Sequence, residues 1–495
     1  MRLSDLLCGV ECEVFHRQKK LSEIEISGIC SNSGLAQKDS LFVCIRGSVL
    51  NGIDYAKEAI QKGASAILAA KEEEEKLKEI LKAYRDCTGI LVKDERKVLA
   101  LLSAEYEGYP QRKLKLIGVT GTKGKTTTVS MIWKILSEAG IKTGMIGTIE
   151  QYDGEKHIPS ACTTPDAISL HKSFRRMADN GCKVCVMEVS SQALKLKRTY
   201  GIEYEIGVFL NLGKDHISAL EHANMEEYMT CKRKLFLQSK TGIGNMDDPY
   251  YVQMFRDTPC RKKSFGIYRG DIQAEEIHTD QWFHGNPGVS FRADGVTYEL
   301  PIPGRFTVYN ALAAISVCRE LGIAKEMIRR VLETFTVRGR MQFFDIPKGG
   351  KAVIDYAHNA MSLKSTLETL RAYHPQRLIT VFGCGGNRDP ARRTEMGKVS
   401  GILSDFTIIT SDNPRWEEPE TIMDEIEKGV EMANGVCLRI KDRKEAVFYA
   451  IEMAKEGDLI VIAGKGHETY QEIRGTKYKM DEQELVKEAC THKLL

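Results

Sequence analysis

Short apolar runs alternate with amphipathic stretches along most of the chain. Near-continuous apolar runs of strand length occupy 114–120, 183–189 and 205–212. The stretch after the first run has apolar residues at helical spacing, namely Val129, Ile132, Ile135 and Leu136. Strands without polar alternation are typical of a parallel sheet that is covered on both faces. The pattern therefore predicts an α/β fold with a central parallel sheet.

The same alternation appears on both sides of this block. Residues 41–47 and 64–70 have the apolar pattern of strands, with a helical pattern between them. Near the C-terminus, four apolar runs (KAVIDYA, RLITVFG, DFTIITS and DLIVIAG) are separated by helical patterns, as in a Rossmann-like βαβ array. The segments GYPQRK and VRGRMQFF separate the blocks. We expect three domains, 1–112, 113–338 and 339–495, and a small antiparallel insertion within 265–302.

Composition narrows the class of protein. The 495 residues carry 71 Lys and Arg against 68 Asp and Glu, and a net charge of +3 gives no reason to expect a nucleic acid or a membrane surface as partner. No apolar run approaches the roughly 20 residues of a membrane helix, and the N-terminus lacks a secretion segment. The 14 cysteines are scattered, which favours free thiols in the cytoplasm. Cys182 and Cys185, without a second pair, are expected to be buried thiols rather than metal ligands.

A glycine-rich loop follows the run at 114–120. Its sequence is GVTGTKGKTTT, and it precedes the helical pattern. The glycines allow the backbone to wrap around phosphates, while the N–H groups at the start of the helix point at the anion. Lys125 can neutralise the β and γ phosphates, and the Thr126 hydroxyl can hold Mg²⁺. Val119 stands where a strict P-loop has its first glycine. The loop predicts nucleotide binding without choosing between kinase, ATPase, GTPase and ligase.

The spelling of this loop resembles the ATP-dependent Mur ligases of peptidoglycan synthesis and their relative folylpolyglutamate synthetase. Further motifs follow in that family's order: MEVSSQAL, NLGKDH, CKRKLF, GRFTVYNALAA and DYAHNAMSL. The resemblance implies that catalysis and two Mg²⁺ sites involve Lys125, Thr126, Glu188, His216 and a carbamylated Lys232. It implies an ATP site that comprises Gly121, Thr122, Lys123, Gly124, Lys125, Thr126, Thr127, Asn310, Arg340, Asp355 and His358.

Three loops after the predicted C-terminal strands carry charged residues. The loops CGGNRDPARR, SDNPRWEEP and AGKGHETYQ should meet at one sheet edge. Arginine can bind a carboxylate through two parallel hydrogen bonds, and glutamate can receive an ammonium, so the loops suit a zwitterionic amino acid. The candidate residues are Arg388, Asp412, Asn413, Pro414, Arg415, Gly464 and Glu468. In the family, the DNPR spelling goes with meso-diaminopimelate, whose distal carboxylate would contact Arg415.

The resemblance also implies a binding site for a UDP-sugar-peptide acceptor. Its candidate residues are Ser31, Ser33, Thr163, Thr164, Ser190 and Arg198. Departures from the family pattern fall in this site: Gly34 replaces arginine, Cys162 replaces asparagine and Leu196 replaces glutamine. In the strand-end motif Gln192 stands where histidine is common. These departures bear on the acceptor more than on the ATP chemistry.

The resemblance therefore implies a monomeric, cytoplasmic ligase that uses ATP and small-molecule substrates. It would add meso-diaminopimelate to UDP-N-acetylmuramoyl-L-Ala-D-Glu through an acyl phosphate. Three alternatives stay open: the same ligase adding L-lysine, a folylpolyglutamate synthetase, and a divergent paralogue that takes another acceptor or only senses nucleotides. The retention of Lys125, Glu188 and Lys232 disfavours the sensor, because a pure binder needs no full phosphoryl-transfer set.

Overall fold

A computed structural model of the chain describes residues 1–15, 19–47, 50–214, 217 and 221–491. Two compact units can be distinguished, Met1–Asp271 with Ala313–Ile323, and Ile272–Leu312 with Ala324–Leu495. Both units combine helices with mainly parallel sheets, so the predicted α/β class is confirmed. Within the described residues, no helix is long and apolar enough to cross a membrane.

The first sheet lies near the N-terminus and has the order β1-β5-β4-β3-β2, with only β1 antiparallel to its neighbour. Its strands and the helices beside them are β1 (Glu13–Phe15), β2 (Gly28–Cys30), β3 (Ser40–Val43), β4 (Ala66–Ala70), β5 (Thr88–Val92), α1 (Leu3–Leu6), α2 (Ala56–Gln61), α3 (Glu74–Leu81) and α4 (Glu95–Tyr106). Successive residues of β3 enter different cores, Leu41 on one face and Phe42 on the other. This double burial explains why the strand shows no polar alternation.

The central sheet of the first unit has the order β13-β12-β11-β6-β10-β7-β8-β9. The strands from β13 to β7 are parallel, and β8 and β9 extend the sheet as antiparallel strands. Its elements are β6 (Lys115–Thr120), β7 (Thr143–Ile146), β8 (Glu150–Tyr152), β9 (His157–Pro159), β10 (Val184–Glu188), β11 (Tyr204–Phe209), β12 (Ser239–Asn245), β13 (Arg261–Gly266), α5 (Lys125–Glu138), α6 (Ala167–Asp179), α7 (Ser191–Lys195), α8 (Met225–Leu237) and α9 (Tyr251–Phe255). Because β6 lies between β11 and β10, the loops after these three strands meet at one edge.

The second unit contains the antiparallel sheet β15-β16-β17, which confirms the predicted insertion, and a sheet ordered β18-β19-β23-β20-β21-β22. In the latter only β18 is antiparallel to its neighbour. The strands are β14 (Ile272–Gln273), β15 (Glu275–Phe283), β16 (Asn286–Ala293), β17 (Val296–Leu300), β18 (Gln342–Asp345), β19 (Lys351–Asp355), β20 (Leu378–Phe382), β21 (Phe406–Ile409), β22 (Cys437–Arg439), β23 (Leu459–Ala463), β24 (Tyr470–Ile473) and β25 (Thr476–Lys479). The helices that follow α9 are α10 (Arg305–Glu320), α11 (Lys325–Leu332), α12 (Ala360–Arg371), α13 (Ala391–Leu403), α14 (Pro419–Met432), α15 (Arg443–Glu452) and α16 (Glu482–Thr491).

The two cysteines of the C-x-x-C segment are buried free thiols, as expected. Cys185 lies within β10, whereas Cys182 precedes the strand. Burial raises the pKa of both thiols, so neither is poised as a thiolate nucleophile.

Candidate active site

The glycine-rich loop between β6 and α5 is held in place by an asparagine from the next strand end. Asn211 follows β11, and its Oδ1 accepts the N–H groups of Thr122 at 3.1 Å and of Lys123 at 2.9 Å. Its Nδ2 donates back to the Lys123 carbonyl at 3.1 Å. Gly124, just before α5, has φ of +86°, a conformation that favours glycine. The segment from Gly121 to Thr127 therefore presents the start of a helix, the arrangement that binds phosphates.

Two lysines converge on this loop. Lys125 Nζ donates to the carbonyls of Gly121 at 2.9 Å and Thr122 at 3.2 Å. Lys232, on α8 and 1% exposed, also donates to the Gly121 carbonyl at 2.9 Å. Its ammonium lies 4.6 Å from the centroid of the Tyr228 ring. Two ammonium groups that share one carbonyl repel each other, so the place between them favours an anion.

A buried carboxylate faces the loop from the end of β10. Glu188 is 1% exposed and accepts three hydrogen bonds, from Thr126 Oγ1 at 3.0 Å, from Thr148 N–H at 2.7 Å and from Thr148 Oγ1 at 3.1 Å. A Cβ at Gly147 would come within 2.9 Å of Glu188 Oε1, so a larger residue there would require the carboxylate to shift. The two hydrogen bonds from Thr148 orient Glu188.

The donor set at this edge suits Mg²⁺. A carboxylate and a hydroxyl are hard oxygen ligands, and Mg²⁺ is held in proteins by one or two such groups together with substrate phosphates. Thr126 and Glu188 already touch at 3.0 Å, beside the phosphate-binding loop. His216, the third predicted ligand, lies outside the described residues.

Four of the predicted acceptor-binding residues surround Glu188. Thr164 Oγ1 donates to the Glu188 carbonyl at 2.9 Å and accepts the Ser190 N–H at 3.0 Å. Arg198 Nη1 donates to the Thr164 carbonyl at 2.7 Å, and Thr163 Oγ1 lies 3.0 Å from the Thr148 hydroxyl. These residues therefore form one hydrogen-bonded group with Glu188.

The other two predicted acceptor residues lie at the N-terminal sheet, in the turn after β2. Ser31 is exposed. Ser33 is buried, and its hydroxyl donates to Glu58 Oε2 at 2.7 Å. Lys62 in turn pairs with Glu58 at 2.7 Å and donates to the Ser33 carbonyl at 3.2 Å. The described contacts of Ser33 therefore stabilise the turn after β2.

In the second unit, Arg415 is held by a hairpin. Its Nη1 donates to the Gly386 carbonyl at 2.7 Å, and its Nε lies 3.3 Å from Glu472 Oε2 on β24. The Arg415 N–H also donates to the Glu472 carbonyl at 3.1 Å. Arg415 has φ of +54°, a conformation that non-glycine residues adopt rarely. The hairpin β24–β25 therefore contacts both the backbone and the guanidinium of this arginine.

A charged group beside Arg415 joins the loops after β21 and β23. Lys465 is fully buried and donates to Asn413 Oδ1 at 3.0 Å and to Glu468 Oε2 at 2.8 Å. Asn413 Nδ2 also donates to Glu468 Oε2 at 2.9 Å. This network gathers the predicted loops at one sheet edge, as expected from the parallel strands.

The remaining candidates for the amino-acid site lie on the same loops. A Cβ on Gly464 would come within 3.0 Å of Asp412 Oδ2, and a Cβ on Gly386 within 1.9 Å of the Pro414 carbonyl, so these loops pack closely. Arg388 is exposed on the loop after β20.

A second cluster of the second unit contains three of the other predicted nucleotide contacts, Arg340, Asp355 and His358. The Arg340 guanidinium lies 4.5 Å from the centroid of the Tyr356 ring, which also packs against His358 at 4.6 Å and His467 at 4.8 Å. Burial and the nearby Arg340 lower the pKa of His467 to about 3, so its imidazole is neutral. Asp355 accepts the Met341 N–H at 3.0 Å and the Thr366 hydroxyl at 3.1 Å, and Asn310 is buried on α10.

Comparison with known proteins identifies the family. Three family profiles match in order, "Mur ligase family, catalytic domain" over 25–107, "Mur ligase middle domain" over 119–318 and "Mur ligase, glutamate ligase domain" over 339–466. A UDP-N-acetylmuramoyl-L-alanyl-D-glutamate--2,6-diaminopimelate ligase from Clostridium botulinum is 39% identical over 496 residues, which is 99% of this chain and 99% of the relative. The chain belongs to the Mur ligase family. A ligase of the same name from Clostridium perfringens is 40% identical over 497 residues, 98% of this chain and 99% of the relative.

A solved structure agrees with this assignment. The structure of a diaminopimelate ligase of the same name covers 99% of this chain and 98% of its own, at 25% identity and a TM-score of 0.66. As a Mur ligase, the chain is an ATP-dependent enzyme that forms amide bonds. The family and the enzyme class implied by the motifs are confirmed.

Several residues of this Mur ligase site were not assigned from the sequence. Asn211 stands within the NLGKDH motif, but its contact with the loop depends on the pairing of β11 with β6. Thr148 follows an apolar run, and its position after the strand is the one feature of the sequence that indicates a role. Glu472 and Tyr228 lie in polar segments, where the residue pattern does not indicate a role for either.

Proposed function

We propose that this Mur ligase joins meso-diaminopimelate to the acceptor carboxylate of UDP-N-acetylmuramoyl-L-Ala-D-Glu, while ATP becomes ADP and phosphate. The observation that carries the proposal is that Arg415 lies two residues after Asn413, whose Nδ2 donates to Glu468 Oε2 at 2.9 Å. A guanidinium, which can bind a second carboxylate through two hydrogen bonds, therefore stands in the loop that joins this charged network. The relatives from the two Clostridium species bear the name of that activity. L-Lysine lacks this carboxylate and would leave Arg415 without a substrate partner.

The chemistry requires activation of the acceptor. A carboxylate does not acylate amines, because its leaving group would be oxide. The carboxylate attacks the γ-phosphorus of ATP, which gives an acyl phosphate and ADP, and the amine of the amino acid then attacks the acyl carbon and expels phosphate. Lys125 and the N–H groups at the start of α5 stabilise the negative charge that moves between these oxygens.

We propose that Thr126 and Glu188 hold Mg²⁺, with His216 and carbamylated Lys232 at a second ion. Bound Mg²⁺ neutralises charge on the transferred phosphate oxygens. The chain itself orients the ligands, because Thr148 donates two hydrogen bonds to Glu188 at 2.7 and 3.1 Å. A preoriented carboxylate needs no reorganisation when the ligands assemble.

Carbamylation of Lys232 is supported by the charges around it. The neutral amine would attack CO₂, form an N–C bond and lose a proton, so that an ammonium is replaced by an anionic carbamate. The two ammonium groups on the Gly121 carbonyl then become an attractive pair, Lys125 with the carbamate. With ¹³C-bicarbonate, we expect one carbamate signal in the NMR spectrum that is lost in Lys232→Arg. A wild-type spectrum without the signal would reject the carbamate and leave the ligase assignment untouched.

The incoming amino acid would lie on the network of the second unit. The Glu468 carboxylate, which Asn413 Nδ2 contacts at 2.9 Å, would receive its ammonium, and Arg415 would bind the distal carboxylate. Arg388, exposed on the adjacent loop, adds positive charge at the entrance. The close-packed residues Asp412, Pro414 and Gly464 shape the loops that carry these groups.

The remaining contacts are assigned by their positions. We propose that the acceptor contacts Ser31, Ser33, Thr163, Thr164, Ser190 and Arg198. The nucleotide would contact Asn310, Arg340, Asp355 and His358 in addition to the loop from Gly121 to Thr127. We further propose three functional domains, 1–112, 113–338 and 339–495, in a monomer that works in the cytoplasm. The free state of all 14 cysteines supports a reducing compartment.

The deciding experiment measures phosphate release from ATP with the UDP-dipeptide, with meso-diaminopimelate or L-lysine as second substrate. We expect turnover with diaminopimelate alone, and Arg415→Met should raise its KM more than it lowers kcat. Arg474→Met, at an exposed arginine of the same hairpin region, serves as control. Turnover with L-lysine alone would show that Arg415 has another role.

A further inference from the structure

A group of mixed metal ligands lies beside the proposed catalytic lysine and is not used by the ligase mechanism. We call His222, Glu227 and Cys231 the α8 cluster, because the last two stand four residues apart on one face of α8. One ligand atom from each residue lies within 4.8 Å of the other two. The cluster thus brings together a nitrogen, an oxygen and a sulfur, with His222 and Cys231 buried and the Glu227 side chain 34% exposed.

The histidine of the cluster is oriented as metal-bound histidines are. His222 is fully buried, and its Nε2 lies 2.9 Å from Ser191 Oγ. The opposite nitrogen, Nδ1, points toward Glu227 Oε2 at 4.0 Å and makes no hydrogen bond within the part of the chain that the structure describes. When the hydroxyl accepts a hydrogen bond from Nε2, the Nδ1 lone pair is directed into the cluster, and such a second partner is what fixes the ligating tautomer.

The other two residues can supply negative charge. Glu227 binds Lys195 through Oε1 at 2.8 Å and the Ala223 N–H through Oε2 at 2.7 Å, and a carboxylate retains lone pairs for a further ligand. Cys231 is 4% exposed, and it lies one helical turn after Glu227 on the same face of α8, so its sulfur can reach the same ion as the carboxylate.

We propose that the α8 cluster binds Zn²⁺ or a cation of the same borderline-soft class, separately from the Mg²⁺ site. Mg²⁺ and Ca²⁺ take oxygen ligands, whereas imidazole with thiolate is a set that Zn²⁺ prefers. Cys231 supplies the sulfur of this set, and Glu227, which also pairs with Lys195, supplies the oxygen. The neutral imidazole completes three protein ligands, and the fourth tetrahedral position is left to water.

The test uses full-length protein treated with EDTA and then titrated with Co²⁺, which substitutes for Zn²⁺ and reports thiolate ligation by its near-ultraviolet absorption. We expect one equivalent of Co²⁺ to produce this band, Zn²⁺ to abolish it, and excess Mg²⁺ to leave it unchanged. Cys231→Ala should remove the band, and His222→Gln should weaken Zn²⁺ binding at least about tenfold.

Cys260→Ala is the matched control, because Cys260 is a buried thiol outside the cluster and belongs to the same hydrophobic core as Tyr228 and Leu235 of α8. Circular dichroism and thermal melting establish that each variant is folded. Loss of metal binding in Cys231→Ala and His222→Gln with retention in Cys260→Ala supports the proposal. Equal binding by all variants, or no thiolate band in the wild type, overturns it. Neither result depends on ligase activity, so the site can fail while the proposed function stands.

Discussion

Arg415 already contacts a carboxylate of its own chain, and this contact should weaken substrate binding. Its Nε lies 3.3 Å from Glu472 Oε2, and the two side chains are 25% and 26% exposed. A substrate carboxylate that binds Arg415 has to compete with Glu472. The perturbation we consider is Glu472→Gln, which removes the charge and keeps the shape and the backbone pairing of β24.

The size of the effect follows from the geometry. At 3.3 Å, Coulomb's law with an effective dielectric constant of about 20 gives an upper bound of about 5 kcal/mol. Exposed ion pairs contribute about 0.2–1 kcal/mol when measured. A partly exposed pair with one contact should lie near the top of that range, about 1 kcal/mol. We therefore expect Glu472→Gln to lower the KM for diaminopimelate about fivefold, with kcat little changed, since the interaction affects binding.

The assay is phosphate release with ATP and the UDP-dipeptide saturating and diaminopimelate varied. Glu418→Gln is the control, because Glu418 pairs with Arg474 at 2.8 Å with both side chains more than half exposed. A rise in KM would refute the reasoning and show that Glu472 binds the substrate ammonium or positions Arg415. An equal change in KM for the control would show that the loss of any nearby negative charge changes KM, and that the contact between Glu472 and Arg415 is not the cause.

Three further perturbations test other parts of the structure. Thr148→Val removes a 3.1 Å hydrogen bond to the buried Glu188, and the Mg²⁺ concentration for half-maximal activity should rise about tenfold. Burial lowers the pKa of His171 to about 4, so the unfolded chain takes up the proton first as pH falls below 6.5. Stability should therefore fall by up to about 3 kcal/mol between pH 6.5 and 4, and urea denaturation of His171→Leu should show a flatter pH profile. Arg443→Met should destabilise the second unit by about 3–5 kcal/mol, because Glu482, 2.6 Å away, would stay buried without its partner. The double variant Arg443→Met, Glu482→Leu should recover much of the melting temperature, because it removes both charges.

The sequence was sufficient for the parallel sheets and for the loops at their ends. Buried parallel strands lack polar alternation, and functional loops follow their carboxyl ends, so the phosphate loop, Glu188 and Asn413 could be placed without coordinates. Only the strand order, with β6 between β11 and β10, brings Asn211 onto the phosphate loop. Strand order depends on tertiary packing and has no local pattern.

The polar hairpin and the short edge strands could not be predicted. All four residues of β25 are exposed, so this strand has no apolar face from which to recognise it. Its partner β24 carries Glu472, and the contact with Arg415 joins residues 57 positions apart. A side-chain pair at that separation depends on the register of the hairpin against the loop after β21, which the residue pattern does not specify.

Two of the departures from the family pattern, Gly34 and Cys162, leave the hydrogen bonds around Glu188 in place. Gly34 lies in an exposed turn, where its N–H donates to Asn32 Oδ1 at 2.8 Å. Cys162 is exposed, and its thiol lies 3.3 Å from the Thr164 carbonyl, the same oxygen that Arg198 binds at 2.7 Å. The carbonyl is thus held from two sides although the asparagine typical of the family is absent. Because Thr164 in turn hydrogen-bonds the Glu188 carbonyl, the backbone that carries Glu188 keeps its hydrogen bonds although Cys162 stands in place of asparagine.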